Sequence, residues 1–293
     1  MTGSSVLKLG VPKGSLQDST IKLFAKSGWK INLYHRNYFP DINDPDIRCS
    51  LCRAQEMPVY IEDGTLDVGL TGRDWILENE ADVVTVSELV YSKSSNRPAR
   101  WVLAVAGDSL YQRPEDLAGK KIATELENFT RKYFQNADIP VDVEFSWGAT
   151  EAKVVSGLAD AIVEVTETGT TIKAHGLRII AEMLVTSTRL IANRQAWEDP
   201  WKRKKIEQMN TLLQGALRAE KMVGLKMNVR ENDLGAVLDL LPSITSPTMA
   251  GLHQAGWLSI EIVVDEDLVR GLVPELIAIG VEGIIEYPLN KVI

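Results

Sequence analysis

Asp160-Ala-Ile-Val-Glu-Val-Thr-Glu-Thr-Gly-Thr-Thr-Ile-Lys-Ala-His-Gly-Leu177 is the stretch whose reading decides the fold. Residues Ala161 to Val165 are apolar and β-prone, so they predict a buried strand. Its carboxyl end carries the next side chains into a crevice, where open α/β sheets bind their ligands. Gly169 permits a close turn around an anion. Thr168, Thr170 and Thr171 set hydroxyls beside the unpaired N–H groups of a starting helix, which favour negative charge. Glu164 and Glu167 repel phosphate, so their partners are neutral hydroxyls or a phosphate-bound metal. Two acids followed by Thr-Gly-Thr-Thr suit a ribose whose diol and 5-phosphate are gripped by one loop. A plain strand-to-helix turn, with Gly for geometry and Thr as N-cap, explains the glycine but not the acids.

Composition narrows the setting. The 293 residues predict two or three domains. Apolar residues at 45% and charged at 25% are those of a globular chain, not a disordered or fibrous one. No apolar run of about 18 residues occurs. The start Met-Thr-Gly-Ser-Ser lacks a basic region followed by an apolar core, so the expectation is a cytosolic protein with no membrane partner. A formal charge of −8 argues against a sequence-independent grip on nucleic acid. Cys49 and Cys52 have the C-x-x-C spacing, but a tetrahedral zinc site needs four ligands. His35, His175 and His253 supply no second pair at short spacing. The alternation of Ile47-Arg-Cys-Ser-Leu-Cys-Arg53 predicts reduced thiols on one β-strand.

Working outward, strands and helices alternate. Leu7 to Val11 reads as a strand, Pro12 to Ser15 as a loop and Leu16 to Ser27 as a helix. Arg48 to Arg53 and Leu66 to Leu70 are further strands, and Asp74 is placed to cap a helix from Trp75 to Glu80. A second unit begins near Arg100, with strands at Trp101 to Ala106, Lys121 to Thr124, Val141 to Phe145 and Leu177 to Val185. Helices fall at Phe129 to Asn136 and Ala149 to Leu158. Ser187 to Ala192 crosses back, which predicts two α/β lobes around a hinged cleft, residues 1–99 with about 188–220 and residues 100–187. The cluster Lys202-Arg-Lys-Lys205 opens a long helix. Ile206, Met209, Leu213 and Ala216 recur at helical spacing, so its basic residues read as the solvated side of a packed helix.

From Lys221 the texture changes to the βαββαβ order of a ferredoxin-like unit, residues 221–293. Ten acidic and five basic residues give it −5 of the total −8. It contains no evident nucleophile, metal cluster or phosphate loop and reads as a regulatory or assembly module.

The opening stretch, taken with Gly10-Val-Pro-Lys-Gly-Ser15, Arg53-Ala-Gln-Glu-Met-Pro58, Asp67-Val-Gly-Leu-Thr-Gly72 and Leu117-Ala-Gly-Lys-Lys-Ile-Ala123, resembles the ATP phosphoribosyltransferases. The similarity covers essentially the whole chain, and its tail resembles that of the long form. The resemblance implies two catalytic lobes of the periplasmic-binding-protein type, Mg²⁺ carried mainly by substrate phosphates, dimeric or hexameric assembly, and feedback inhibition by histidine. The implied reaction joins N1 of ATP to C1 of phosphoribosyl pyrophosphate, the first step of histidine biosynthesis. Carried over by position, Glu164, Thr166, Glu167, Thr168, Gly169, Thr170 and Thr171 would hold the phosphoribosyl donor. Lys13, Gly14, Ser15, Arg53, Thr71, Gly72 and Asp74 would face ATP, and Ser246 and Thr248 would lie near the histidine effector. A two-lobed small-molecule binding protein and a different phosphoribosyltransferase are the alternatives.

Overall fold

Leu7, Leu9 and Val11 are completely buried along the strand Leu7–Lys13. That strand pairs in parallel with Ile47–Arg53 on one side and Val68–Gly72 on the other. Gly10 and Pro12 on the opposite face are buried too, as helices covering both sides of a parallel sheet require, and exposure is left to Lys8 and Lys13. The computed structural model describes residues 6–34, 37–91, 98–242 and 246–293. His35, weighed above as an imidazole ligand, and the start at residues 1–5 lie outside the described residues.

The chain divides into two compact units, residues 1–25 with 29–210 and residues 26–28 with 211–293. The first unit holds two five-stranded sheets, one per lobe. In the first lobe the strand order is Ile47–Arg53, Leu7–Lys13, Val68–Gly72, Thr188–Ala192, Val84–Leu89. In the second it is Leu177–Thr186, Ala99–Ala106, Ala161–Thr166, Lys121–Thr124, Asp142–Phe145. The chain leaves the first sheet after Leu89, enters the second at Ala99, and returns between Thr186 and Thr188. Two crossings and mixed sheets with helices on their faces form the expected two-lobed α/β arrangement.

Ala161–Thr166 is central in its sheet, parallel to Lys121–Thr124 and antiparallel to Ala99–Ala106. Ala161, Ile162 and Val163 are fully buried, and exposure begins at Glu164. Burying each large aliphatic side chain contributes about 1.5–3 kcal/mol. The apolar run therefore anchors the strand and leaves its carboxyl end to carry chemistry.

Several element ends differ from expectation. The strand read as Leu66 to Leu70 runs Val68–Gly72, and the next helix is Arg73–Asn79. Its N-cap is Gly72 in extended conformation, not Asp74, which sits in the first turn. The helix expected over Ala149 to Leu158 is the shorter Thr150–Val155. The helix Pro200–Ala219 buries Ile206, Met209, Leu213 and Ala216. Its basic cluster is only partly solvated, however: Lys202 pairs with the buried Asp67 at 2.8 Å and Lys205 with Asp44 at 2.9 Å.

In the second unit the elements Met222–Arg230, Leu234–Leu240, Thr248–Gly251, Trp257–Asp265, Glu266–Ala278 and Glu282–Pro288 keep the βαββαβ order. The four strands form an antiparallel sheet in which Trp257–Asp265 and Met222–Arg230 are central. Leu225, Met227, Val229 and Ile260 of that sheet pack with Val237 and Leu276 of the helices in one core. The first helix of this unit is preceded by a 3-10 turn, Glu231–Asp233.

Candidate active site

A cleft of about 710 Å³ lies where loops of the two lobes converge. Glu164, Thr166, Glu167, Thr168 and Thr171 line it from the second lobe, and Lys13, Gly14, Ser15, Arg53, Gly72 and Asp74 from the first. This volume is that of a small-molecule site. A larger and more open depression of about 1690 Å³ follows the edge strand Ile47–Arg53 and shares Lys13, Gly14 and Arg53. The smaller cleft is the better site, because there acids, hydroxyls and cations from both lobes face the same space.

The loop after Ala161–Thr166 is organised by its own hydroxyls. Thr166 Oγ1 accepts a 2.8 Å hydrogen bond from the Gly169 N–H, and Thr168 Oγ1 lies 2.8 Å from Thr170 Oγ1. Gly169 takes φ 79° as the N-cap of the short helix Thr170–Ala174, a conformation a β-carbon disfavours. Gly169 and Thr170 thus shape the loop, whereas Thr166, Thr168 and Thr171 line the cleft.

Burial pushes the Glu164 carboxyl up to about 7, and the nearby Glu151 and Glu125 push it the same way. The Val165 N–H, 3.1 Å from Glu164 Oε1, and the Thr150 hydroxyl oppose the rise. Glu164 therefore changes charge near neutral pH, an unusual property for a carboxyl group.

From the first lobe, the Lys13 ammonium stands 4.1 Å from the Tyr38 ring centre. The Arg53 guanidinium stacks on Trp147 at 4.6 Å. Thr71 differs from expectation: it is fully buried, and its hydroxyl donates to the Ala54 carbonyl at 2.6 Å. It supports the backbone beside Arg53 and does not line the cleft. Asp74 does line it but is 5% exposed, with Oδ2 accepting from the Trp101 indole at 2.6 Å. Burial holds its carboxyl above the usual aspartate range despite the hydrogen bonds it accepts.

Two family models match the chain. One for ATP phosphoribosyltransferase matches residues 53–215, and one described as HisG, C-terminal domain, matches residues 219–291. The ATP phosphoribosyltransferase of Solidesulfovibrio magneticus is 72% identical over 293 residues, the full length of both chains.

The chain belongs to the ATP phosphoribosyltransferase family.

Its C-terminal domain makes it the long form of that family. A second relative, from Nitratidesulfovibrio vulgaris, is 70% identical over the full length of both chains. Among solved structures, the Thermotoga maritima ATP phosphoribosyl transferase (HisG:HisZ) complex aligns at a TM-score of 0.62 and 29% identity. That alignment covers 71% of this chain and 97% of the other.

Glu125, in the cleft lining, and Trp147, against Arg53, were not marked by any motif in the sequence of this ATP phosphoribosyltransferase family member. Glu125 lines the cleft just past the strand Lys121–Thr124, the same strand-end signal that identified Glu164. Trp147 stands over Arg53 from the loop after Asp142–Phe145, and only its Ser-Trp-Gly context hinted at exposure. In the C-terminal unit, Ser246 and Thr248 are exposed, and Thr248 opens the edge strand opposite Glu261. Among the described residues no group of three or more His, Cys, Asp or Glu is placed to hold a metal ion.

Proposed function

We propose that the cleft transfers the phosphoribosyl group of phosphoribosyl pyrophosphate to N1 of ATP, giving N1-(5-phosphoribosyl)-ATP and pyrophosphate. This is the first step of histidine biosynthesis. The observation that carries the reading is the Glu164–Thr171 loop facing Lys13 and Arg53 across one cleft. Hydroxyls and a carboxyl on one wall suit a sugar phosphate, and cations on the other suit polyphosphate.

As pyrophosphate leaves C1 with the bonding pair, the ribosyl carbon gains oxocarbenium character. The N1 lone pair of adenine then forms the new C–N bond. That lone pair is already free, so no strong base is needed, and catalysis rests on positioning and charge stabilisation. Thr168 and Thr171 hold the 5-phosphate, with Gly169 and Thr170 setting the turn. Thr166 and Glu167 complete the loop, and Glu164 accepts from the ribose diol. Lys13, Gly14 and Ser15 bound the ATP side together with Gly72. Arg53 offers charge to the phosphates.

Mg²⁺ is proposed as the cofactor. Of the carboxylates lining the cleft, Glu125 and Glu164 would fit its oxygen preference, with substrate phosphates as its main ligands; bound there, the ion would neutralise phosphate charge. Histidine acting near Ser246 and Thr248 as feedback inhibitor, assembly into a dimer or hexamer, and a cytoplasmic location complete the proposal. No helix among the described residues is long and apolar enough to cross a membrane.

The test is direct: the purified protein is incubated with ATP, phosphoribosyl pyrophosphate and Mg²⁺, and absorbance of the N1-alkylated adenine is followed. Product formation is expected, and its absence across a range of pH and salt rejects the proposal.

A further inference from the structure

Arg53 closes the edge strand Ile47–Arg53 of the first lobe and lines the cleft. Its guanidinium lies over the indole of Trp147, which belongs to the second lobe. No carboxylate among the described residues forms an ion pair with Arg53. With its central carbon 4.6 Å from the ring centre, the guanidinium is held against the π face by a cation–π contact, which leaves its five N–H donors unspent on the ring. Donors held beside the cleft in this way are available to an oxyanion.

Trp147 is 60% exposed, so burial does not explain its placement. The loop that carries it is nevertheless built tightly. Ser146 and Thr150 on either side are buried, and the Phe145 ring meets the indole edge-on at 6.2 Å. Gly148 and Ala149 both take positive φ, 66° and 48°. For Ala149 that conformation is strained, and such outliers persist where surrounding structure over-determines them.

We propose that Trp147 is a positioning residue for the transfer reaction: it holds Arg53 across the mouth of the cleft so that the guanidinium donors meet the oxygens of the departing pyrophosphate. The stack joins the two lobes, so it also couples their approach to the placement of that charge. The inference rests on the cleft being the phosphoribosyl-transfer site.

The test compares Arg53→Ala, Trp147→Ala, Trp147→Phe and the Arg53→Ala/Trp147→Ala double variant. For each, kcat, KM for both substrates and the inhibition constant for pyrophosphate are measured, with circular dichroism as the check of folding. Trp147→Ala is expected to lower kcat and weaken pyrophosphate inhibition, each by about tenfold. Trp147→Phe keeps an aromatic face and should recover most of both. In the Arg53→Ala background, removing Trp147 should add nothing. If Arg53→Ala is inactive while Trp147→Ala matches the parent, or if the two losses simply multiply, the positioning role is wrong. If Arg53→Ala itself is fully active, the placement of Arg53 at the reacting phosphates is what fails. Should Trp147→Ala not fold, Trp147→Leu, apolar and without a π face, replaces it in the same cycle.

Discussion

The Trp101 indole N–H donates a 2.6 Å hydrogen bond to the Asp74 carboxylate, and both residues are buried. Asp74 belongs to the first turn of a helix in the first lobe, and Trp101 to a strand of the second. Trp75 packs edge-on against the Trp101 ring with centroids 6.0 Å apart. The Asp74 backbone N–H, in turn, donates to Thr186 Oγ1 at the end of the second sheet, where the chain returns to the first lobe. One carboxylate thus ties the lobes together at the back of the cleft.

Asp74→Ala leaves the indole N–H unpaired in a buried position and should cost about 1–3 kcal/mol. Asp74→Asn retains an acceptor oxygen and should cost less. Urea-unfolding midpoints rank the two variants, and equal losses would remove the hydrogen bond as the cause. Gly72→Ala tests the same joint from the side, because a β-carbon there overlaps the Asp74 carboxyl.

Glu164 carries a pH signature. Its folded value of about 7 lies above the ordinary 4.5, so the folded chain retains an extra proton between those values. Stability therefore falls as pH rises through that window, by at most about 1.4 kcal/mol per pH unit, the value of one proton. Glu164→Gln should flatten that slope and gain relative to the parent at pH 8 compared with pH 5. Thermal melts across this range measure the difference.

The threonine loop predicts a kinetic effect without a structural one. Thr168 and Thr171 line the cleft, whereas Ile172 anchors the short helix in the core beneath. Replacing both threonines by alanine should raise KM for phosphoribosyl pyrophosphate at least about tenfold, the loss of one to two hydrogen bonds to a charged group. The circular dichroism spectrum should not change. Unchanged kinetics would remove the loop from the site.

Cys49 and Cys52 are both free, and burial pushes each thiol up to about 12. Three residues apart on one strand, they project to opposite faces and cannot bridge without moving the backbone. The native protein should resist iodoacetamide at pH 7 and react once unfolded. The double serine variant should keep its activity, with a stability loss of about 1–3 kcal/mol from the buried hydroxyl at Cys49.

Substituting Ser246 and Thr248 by alanine should weaken inhibition by histidine about tenfold, the weight of one hydrogen bond to a charged ligand. Activity without histidine should be unchanged. Inhibition curves at fixed substrate provide the measurement, and unaltered inhibition places the effector elsewhere.

Sequence alone determined the alternation of strand and helix, the buried strand ending at Glu164, and the βαββαβ order of the tail. Those features follow from local periodicity and from glycines at turns, which neighbouring residues encode. The family was legible for the same reason, since its motifs are short runs at strand ends. Tertiary structure alone decided what each side chain meets. Asp74 looks like a helix cap until Trp101, 27 residues away, takes its carboxylate. Lys202 and Lys205 look solvated until Asp67 and Asp44 arrive from loops distant in sequence. Thr71 has the spacing of a ligand contact, yet its hydroxyl turns inward to Ala54. Glu125 stands at a strand end that the local pattern marks, but Trp147 gains its place over Arg53 only because loops of two sheets meet. Pairing across such distances depends on how lobes pack, and no local pattern records it.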